Sequence, residues 1–222
     1  ELIGVYVSGH PLDAYAPEAR AFATANLGDT DKFGQDEEEI PDAGGDGYGR
    51  PQKPQHTFCG IITEVQRRTT RTGKPIAFAT IEDFTGQGEL VCFSTTIDKV
   101  HPYLQVDEIV LARGEVEVRG GSVKILTRDI IPMWKVREQL VRAVVLRIQT
   151  GSVELADIEK LRILCDNNRG NCKLYFDLLD PDHPEGKQRI RSRTFVVDPT
   201  PELMTGISRL FGRDNVLLEG EA

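Results

Sequence analysis

A cluster of basic side chains lies near the middle of the sequence, at a predicted turn between two strands. Arg67, Arg68, Arg71 and Lys74 are separated only by threonines and one glycine. Cations at this density can contact successive phosphates and give salt-dependent binding of a nucleic acid without reading its sequence. The alternative is a solvated hairpin tip. The cluster is therefore a candidate phosphate-binding site.

Two aromatic residues and two further cations complete the candidate set. Phe78 and Ile81 are three apart on a predicted strand, so a regular strand places them on opposite faces. If Ile81 fills the interior, Phe78 faces outward, where its ring can stack on an unpaired base; the alternative is packing beneath a helix or loop. Phe93 ends the next strand, and Arg113 and Lys124 lie on later strands among acidic residues. We include all of them as candidate nucleic-acid-binding residues.

The sequence gives less support for a catalytic site or a metal site than for nucleic-acid binding. Ser8 and His10 are close in sequence, but no acidic residue completes a triad, so we interpret the Ser-Gly-His-Pro string as a structural turn. The four cysteines are too widely separated for a CxxC pair or a dense disulfide scaffold, and only Cys59 has a histidine, His56, nearby. We expect a reduced, non-catalytic chain with no cofactor and no metal site.

Most of the net negative charge of the chain lies in its first 55 residues. The net charge is −8, of which residues 1–55 contribute −7, residues 56–136 contribute zero and residues 137–222 contribute −1. Local basic patches therefore decide whether the chain can bind nucleic acid. The length, the apolar fraction of 39% and the lack of a long apolar window predict two compact domains and an appendage in a soluble, cytoplasmic protein. The missing initiator methionine and signal peptide suggest a segment of a longer protein.

The region 56–134 predicts a nucleic-acid-binding OB-fold. Strands are expected over 58–69, 75–82, 89–93, 108–118 and 122–131, with a Gly-Gly turn before the last strand and a short helix, capped by Ser94, after the third. This β-β-β-α-β-β order is that of the five-stranded OB barrel, which binds oligonucleotides partly through the loop joining its first two strands. The basic cluster falls on that loop.

The flanking regions have different compositions. Residues 1–27 include an alanine-rich stretch that favours a short helix over 14–26. Residues 28–55 are rich in Asp, Glu, Gly and Pro, which predicts an acidic flexible linker.

Residues 137–222 predict a second, α+β domain. Strands over 141–148, 172–179, 189–197 and 215–219 alternate with helices over 152–169 and from Pro201, giving β-α-β-β-α-β, the split βαβ of ferredoxin-like domains. Leu155, Ile158, Leu161 and Cys165 are expected to face the core, with Gly170 ending their helix, and Thr200 and Gly212 to bound the second. We predict a partner-binding domain rather than a second nucleic-acid site. The row Arg189, Arg191 and Arg193 is either solvated, acid-paired or a protein or DNA contact.

Three strings resemble the alpha subunit of bacterial DNA polymerase III. The first is GVYVSGHPLD at 4–13, similar to the run that leads out of that family's polymerase core. The second comprises GII at 60–62, RTGK at 71–74, TIEDFTG at 80–86 and ELVCF at 89–93, similar to its OB domain. The third is LFGRDNV at 210–216, in the C-terminal unit. The resemblance extends over nearly the whole chain except the acidic linker.

The resemblance implies a function in DNA replication. It implies that the chain holds the end of the polymerase core in residues 1–27, the OB domain, and a C-terminal domain that binds the clamp-loader tau subunit, alongside other replicase subunits. The catalytic carboxylates of that DNA-directed DNA polymerase, a nucleotidyltransferase, lie upstream of the first string, so the fragment itself is expected to be non-catalytic. No clamp-binding peptide is evident.

Two other functions stay open from the residues alone. The string FATIED at 78–83 also fits the OB domains of class II aminoacyl-tRNA synthetases, which would make the chain an RNA- or tRNA-binding module. A structural adaptor without affinity for nucleic acid is the third possibility, because the barrel is neutral overall.

Overall fold

A computed structural model describes residues 10–33, 54–180 and 186–220. The chain divides into two compact units, Glu1–Lys135 and Val136–Ala222. Within the described ranges, no helix is long and apolar enough to cross a membrane.

The first unit contains a closed five-stranded barrel. Its strands are β1 (Gln55–Thr69), β2 (Pro75–Glu82), β3 (Gln87–Phe93), β4 (Ile109–Arg119) and β5 (Ser122–Pro132), in the order β1-β2-β3-β5-β4. Strands β3 and β5 pair in parallel and the other neighbours are antiparallel. A helix, Ser94–Val100, lies between β3 and β4. The predicted OB order is confirmed, but Ser94 is the first helical residue and Phe93 occupies the N-cap position.

Strict alternation of side chains fills the barrel. On β2, Ala77, Ala79 and Ile81 are buried inside, whereas the intervening residues are only partly buried. Phe58 and Ile62 on β1 are fully buried in the same core. Because successive side chains of a strand point to opposite faces, each strand contributes one apolar row to the interior and one row to the outer surface.

The segment before the barrel packs onto it. A 3-10 helix (Pro11–Tyr15) leads into α1 (Ala16–Phe22), and a second short 3-10 helix spans Thr30–Lys32. Leu27 and Phe33 are buried in the barrel core. The predicted flexible linker therefore starts too early, because the apolar Phe33 is held inside the core. Residues 34–53 of that linker, and residues 4–9 of the first resemblance string, lie outside the described residues.

The second unit is a four-stranded sheet with two helices. The barrel helix Ser94–Val100 is numbered α2, and the helix Met133–Leu140, which follows β5, is numbered α3. The sheet contains β6 (Val141–Gln149), β7 (Arg169–Leu179), β8 (Gln188–Val197) and β9 (Val216–Gly220), with α4 (Leu155–Asn167) after β6 and α5 (Pro201–Phe211) after β8. The predicted β-α-β-β-α-β chain order is confirmed.

The ferredoxin-like split is wrong. The sheet order is β8-β7-β6-β9, in which β6 pairs directly and in parallel with β7. A split βαβ unit needs another strand between its two parallel strands. Here β8 instead forms the outer edge by returning antiparallel beside β7. The order of elements along the chain is the same for both arrangements, so it could not distinguish them.

Helix α4 of this unit differs from its predicted packing. In α4, Leu161 and Cys165 are buried, but Leu155 is 73% exposed and Ile158 is 52% exposed. The helix ends at Asn167, and Gly170 belongs to β7. Helix α5 agrees with the prediction: the Thr200 hydroxyl accepts a hydrogen bond from the Leu203 amide at 3.1 Å, and the chain leaves the helix at Gly212, whose φ is +88°.

Candidate nucleic-acid interface

The outer face of the barrel presents three rows of side chains across strands β1, β2 and β3. Strand register aligns Arg68, Ile76 and Phe93 in one row and Gln66, Phe78 and Val91 in the next. A third row contains Glu64, Thr80 and Glu89, and continues to Lys124 on β5. Together these rows form the outer barrel face.

Phe78 lies on this face, as the alternation predicts. Ile81 is fully buried inside the barrel, and Phe78 is half-buried on the outside. Phe93 is also half-buried, and it lies one row away, paired with Ile76, while Phe78 pairs with Val91. Diagonal neighbours across paired strands are about 7–8 Å apart, so the two aromatic rings share one continuous surface.

A groove of about 150 Å³ runs beside Phe78. It is lined by Glu64, Gln66, Arg68, Phe78, Ala79, Thr80, Glu89 and Lys124. The Arg68 guanidinium lies 5.9 Å from the centre of the Phe78 ring and donates a hydrogen bond to the Gln66 side chain at 2.9 Å. The Gln66 amide in turn donates to the Glu64 carboxylate at 2.8 Å. This chain of contacts orients one cation directly beside the ring.

The basic cluster does not act as one patch. Arg67 lies opposite Ala77, whose side chain is inside the barrel, and its guanidinium donates to the carbonyl of Leu104 at 3.1 Å. Arg68 points outward instead, because neighbours on a strand face opposite sides. Arg71 and Lys74 are exposed in the turn between β1 and β2. Arg68 and the turn residues are thus placed near the outer barrel face, whereas Arg67 is engaged with the barrel's own backbone.

The two remaining candidate cations are placed differently. Lys124 lines the groove and forms an ion pair with Glu89 at 2.9 Å. Arg113 is exposed on β4, where register aligns it with Thr57 and Asp129, and it is not among the groove residues. The structure therefore brings Arg68, Phe78, Phe93 and Lys124 onto one surface and leaves Arg113 apart from them.

The groove is electrostatically asymmetric. Glu64 and Glu89 occupy the row on one side of Phe78, and Glu117 is aligned with Lys124 at its end. Arg68 occupies the other side, toward the turn that contains Lys74. Sequence reasoning missed the groove residues Glu64, Gln66, Thr80 and Glu89. Strand register, which alone places them next to Phe78, was the only signal that could have found them.

Asp83 was also missed, and its role is structural. Its carboxylate accepts hydrogen bonds from the Leu27 amide at 2.8 Å, the Thr85 amide and hydroxyl at 2.7 Å each, and the Gly86 amide at 2.9 Å. These bonds satisfy a buried acceptor and attach the incoming segment to the turn between β2 and β3. His10 has a similar local function, since its ring accepts from the Leu12 amide at 3.2 Å in a capping box.

The cysteines are buried thiols. None of Cys59, Cys92, Cys165 and Cys172 forms a disulfide. Burial raises the pKa of the Cys59 thiol to about 12 and that of the Cys92 thiol to about 11. Such thiols are protonated at neutral pH and are poor nucleophiles. In the described ranges, no group of three His, Cys, Asp or Glu side chains is arranged to hold a metal ion.

Comparison with known proteins agrees with this geometry. Residues 56–133 match a family model of the tRNA anti-codon type, described as an OB-fold nucleic acid binding domain. The DNA polymerase III alpha subunit of Pseudomonas fluorescens is 25% identical over 99% of this chain and 17% of its own length. That of Thermus aquaticus is 29% identical over 82% of this chain and 14% of its length.

A solved structure, the SSB domain of a Synechococcus sp. protein, aligns with 37% of this chain and 98% of that chain, at 9% identity and a TM-score of 0.34. The chain spans only 17% of the length of the Pseudomonas fluorescens relative, although that relative covers nearly all of this chain. The two polymerase relatives confirm the resemblance of this chain to the alpha subunit of bacterial DNA polymerase III, and the family model confirms the OB-fold for residues 56–133.

Proposed function

We propose that this chain is a non-catalytic part of a replicative DNA polymerase III alpha subunit, and that its barrel binds single-stranded template DNA on the outer barrel face. The observation that supports this most directly is the placement of Phe78 and Phe93 on one surface with Arg68 beside the first ring. Base stacking on an aromatic side chain contributes about 1–3 kcal/mol per base and tolerates any sequence. A template-binding surface in a replicase needs that tolerance.

The charge asymmetry defines a path for the strand. Glu64 and Glu89 repel phosphates from one side of Phe78, whereas Arg68 and the turn with Arg71 and Lys74 attract them to the other. The bases then stack across Phe78 and Phe93 while the backbone passes over the turn between β1 and β2. Arg113 and Lys124 contribute less in this arrangement, because the first lies elsewhere and the second is paired with Glu89.

The test is a fluorescence anisotropy titration of a labelled oligo-dT with the whole chain at low salt. The barrel variant combines Arg68→Glu, Lys74→Glu and Phe78→Ala. Its control combines Lys32→Glu, Lys99→Glu and Phe84→Ala, which makes the same charge change and also removes one exposed phenyl ring. We expect the barrel variant to lose most of its affinity and the control to retain it. Equal affinities would refute the assignment of the surface.

The alternative is an RNA- or tRNA-binding module like that of an aminoacyl-tRNA synthetase. The anti-codon type of the matching family model favours it for residues 56–133. Competition distinguishes the two functions. If tRNA displaces oligo-dT from the chain at equal nucleotide concentration, the natural ligand is RNA. Displacement only by single-stranded DNA supports the replicase function.

For residues 137–222 we propose binding of the clamp-loader tau subunit, alongside other replicase subunits. The support is the resemblance of the chain to alpha subunits, which includes this unit. Calorimetric titration of tau into the whole chain should show binding, and the barrel variant should bind tau with unchanged affinity. Absence of binding to the whole chain would contradict this proposal without affecting that for the barrel.

A further inference from the structure

One face of the sheet in the second unit has an unusual concentration of cations. Strand alternation places Val144, Leu146 and Leu174 on the face that is buried with the helices. The opposite face, which we call the open sheet face, contains Arg147 on β6, Lys173, Tyr175 and Asp177 on β7, Arg189 and Arg191 on β8, and Glu219 on β9. Arg147, Lys173 and Arg191 are exposed, and Tyr175 is half-buried.

Both carboxylates of this face are already neutralised. Arg189 donates to the two oxygens of Asp177 at 2.7 and 3.0 Å and to the two oxygens of Glu219 at 3.0 and 2.8 Å. Lys187 forms a further ion pair with Asp177 at 2.7 Å. The hydrogen bonds from Arg189 and Lys187 lower the pKa of Asp177 to about 2. Asp177 therefore stays ionised at neutral pH, and the carboxylates of Asp177 and Glu219 are both engaged by Arg189.

The other cations of the open sheet face have no acidic partner in the part of the chain that the structure describes. Among the described residues, the side chains of Arg147, Lys173 and Arg191 form no ion pair, and Arg191 lies directly opposite Tyr175. Lys173 is two residues from Tyr175 on the same strand, so both point to the same side. The Arg189 guanidinium lies 5.5 Å from the centre of the Tyr175 ring. Tyr175 thus has two cations without an ion pair as neighbours, Lys173 along its own strand and Arg191 on β8.

A groove continues this surface along the edge strand. It has a volume of about 610 Å³ and is lined by residues 189–196, including Arg191, Arg193 and Phe195. Between Arg191 and Val196 the pairing with β7 is interrupted, and the Phe195 amide instead donates a hydrogen bond to the Ser192 hydroxyl at 3.0 Å. This irregular stretch adds Arg193 to the exposed cations of the edge strand.

We propose that the open sheet face is a second binding surface for single-stranded nucleic acid, separate from the barrel, in contrast to the expectation from sequence that residues 137–222 have no such site. Cations without partners gain most from a ligand that brings a regular row of negative charges and releases counterions. Tyr175 adds aromatic surface on which an unpaired base can stack. An acidic peptide would satisfy the charges but would make no use of the ring. The near-neutral total charge of residues 137–222 conceals this surface at the level of sequence.

The experiment uses the whole chain and a labelled oligo-dT, in the background of the barrel variant. The sheet variant adds Arg147→Glu, Lys173→Glu and Arg191→Glu. Its matched control adds Lys160→Glu, Arg209→Glu and Arg213→Glu, exposed cations of α4, of α5 and of the short helix that follows α5. We expect residual, salt-dependent binding by the barrel variant, which the sheet variant loses and the control keeps. Loss of three phosphate contacts should reduce the slope of log K against log salt by about 2.

Two results would overturn the proposal. One is a sheet variant whose affinity and salt slope equal those of the control. The other is displacement of oligo-dT by poly-glutamate at equal charge concentration, which would assign the surface to acidic protein segments. Circular dichroism of each variant establishes that it is folded. Because the barrel variant is compared with its own control first, failure of the barrel proposal is visible separately from failure of this one.

Discussion

Strand β2 of the barrel and strand β7 of the second unit bury their side chains by different means. On β2, one face is enclosed by the barrel and holds Ala77, Ala79 and Ile81, while the other holds the half-buried Phe78. On β7, Leu174 faces the helices, but the opposite face buries a carboxylate, Asp177, beneath Arg189 and Lys187. The face of β2 inside the barrel is buried by apolar side chains, whereas the open face of β7 is buried partly by an ion-pair network. The contribution of that network to stability should depend on pH.

The largest expected effect is on the interior of the barrel. Ile81→Ala removes a fully buried side chain and should lower the free energy of unfolding by about 2–5 kcal/mol, because a cavity remains. Phe78→Ala, three residues earlier but on the outer face, should cost much less stability and should instead weaken oligo-dT binding. Denaturant unfolding and anisotropy of both variants measure the two effects. If Phe78→Ala proved the more destabilising, Phe78 would be a core residue and the stacking role would be lost.

The next largest effect is expected from the ion-pair network of Asp177, Lys187, Arg189 and Glu219 in the second unit. Asp177→Asn leaves Arg189 with only one carboxylate partner and should lower the free energy of unfolding by about 1–3 kcal/mol at pH 7. Arg189 and Lys187 depress the pKa of Asp177 to about 2 in the folded chain, so its stabilisation is present above pH 4 and is lost as the pH falls toward 2.

Unfolding curves of wild type and Asp177→Asn between pH 7 and pH 2 check this. The two stabilities should converge at the acidic end. Asp157→Asn, which removes the exposed pair with Lys160, is the control and should change stability by less than about 0.5 kcal/mol. A constant gap between wild type and Asp177→Asn across the pH range would contradict the network's role.

A smaller effect is expected from the acidic row of the outer barrel face. Glu64→Gln removes one negative charge beside the groove and keeps the shape of the side chain. Oligo-dT affinity should rise by less than about 1 kcal/mol at low salt, and the gain should disappear at high salt through screening. Glu138→Gln, an exposed position on α3, should leave affinity unchanged. A decrease in affinity for Glu64→Gln would contradict the proposed repulsion between Glu64 and the phosphates.

The smallest effect concerns the exposed apolar side chains of α4. Ile158→Ser should change the free energy of unfolding by no more than about 0.5 kcal/mol, because the side chain is half exposed. Leu161→Ser, one turn away and buried, should cost several times more. Thermal unfolding of the two variants measures both losses of stability. Equal losses would restore the predicted inward orientation of Ile158.

Local patterns predicted the strands of both sheets and helices α1, α2, α4 and α5, but they did not predict α3. Strand β2 was predicted over its full observed length, Pro75–Glu82, and the turn glycines at 120 and 121 separated β4 from β5. Thr200 and Gly212 bounded α5 because a capping hydroxyl and a positive φ are requirements of the helix ends themselves. The same alternation correctly placed Phe78 and Ile81 on opposite faces.

Tertiary structure alone decided which residues meet. Arg67 and Arg68 are adjacent in sequence, yet one contacts the barrel backbone and the other lies beside Phe78. Arg189 binds two carboxylates, Asp177 and Glu219, which come from two other strands. The order of elements along the chain did not determine that β8 lies at the edge of the sheet. Propensity and periodicity act within a few residues, whereas register and strand order depend on the packing of segments far apart in the chain.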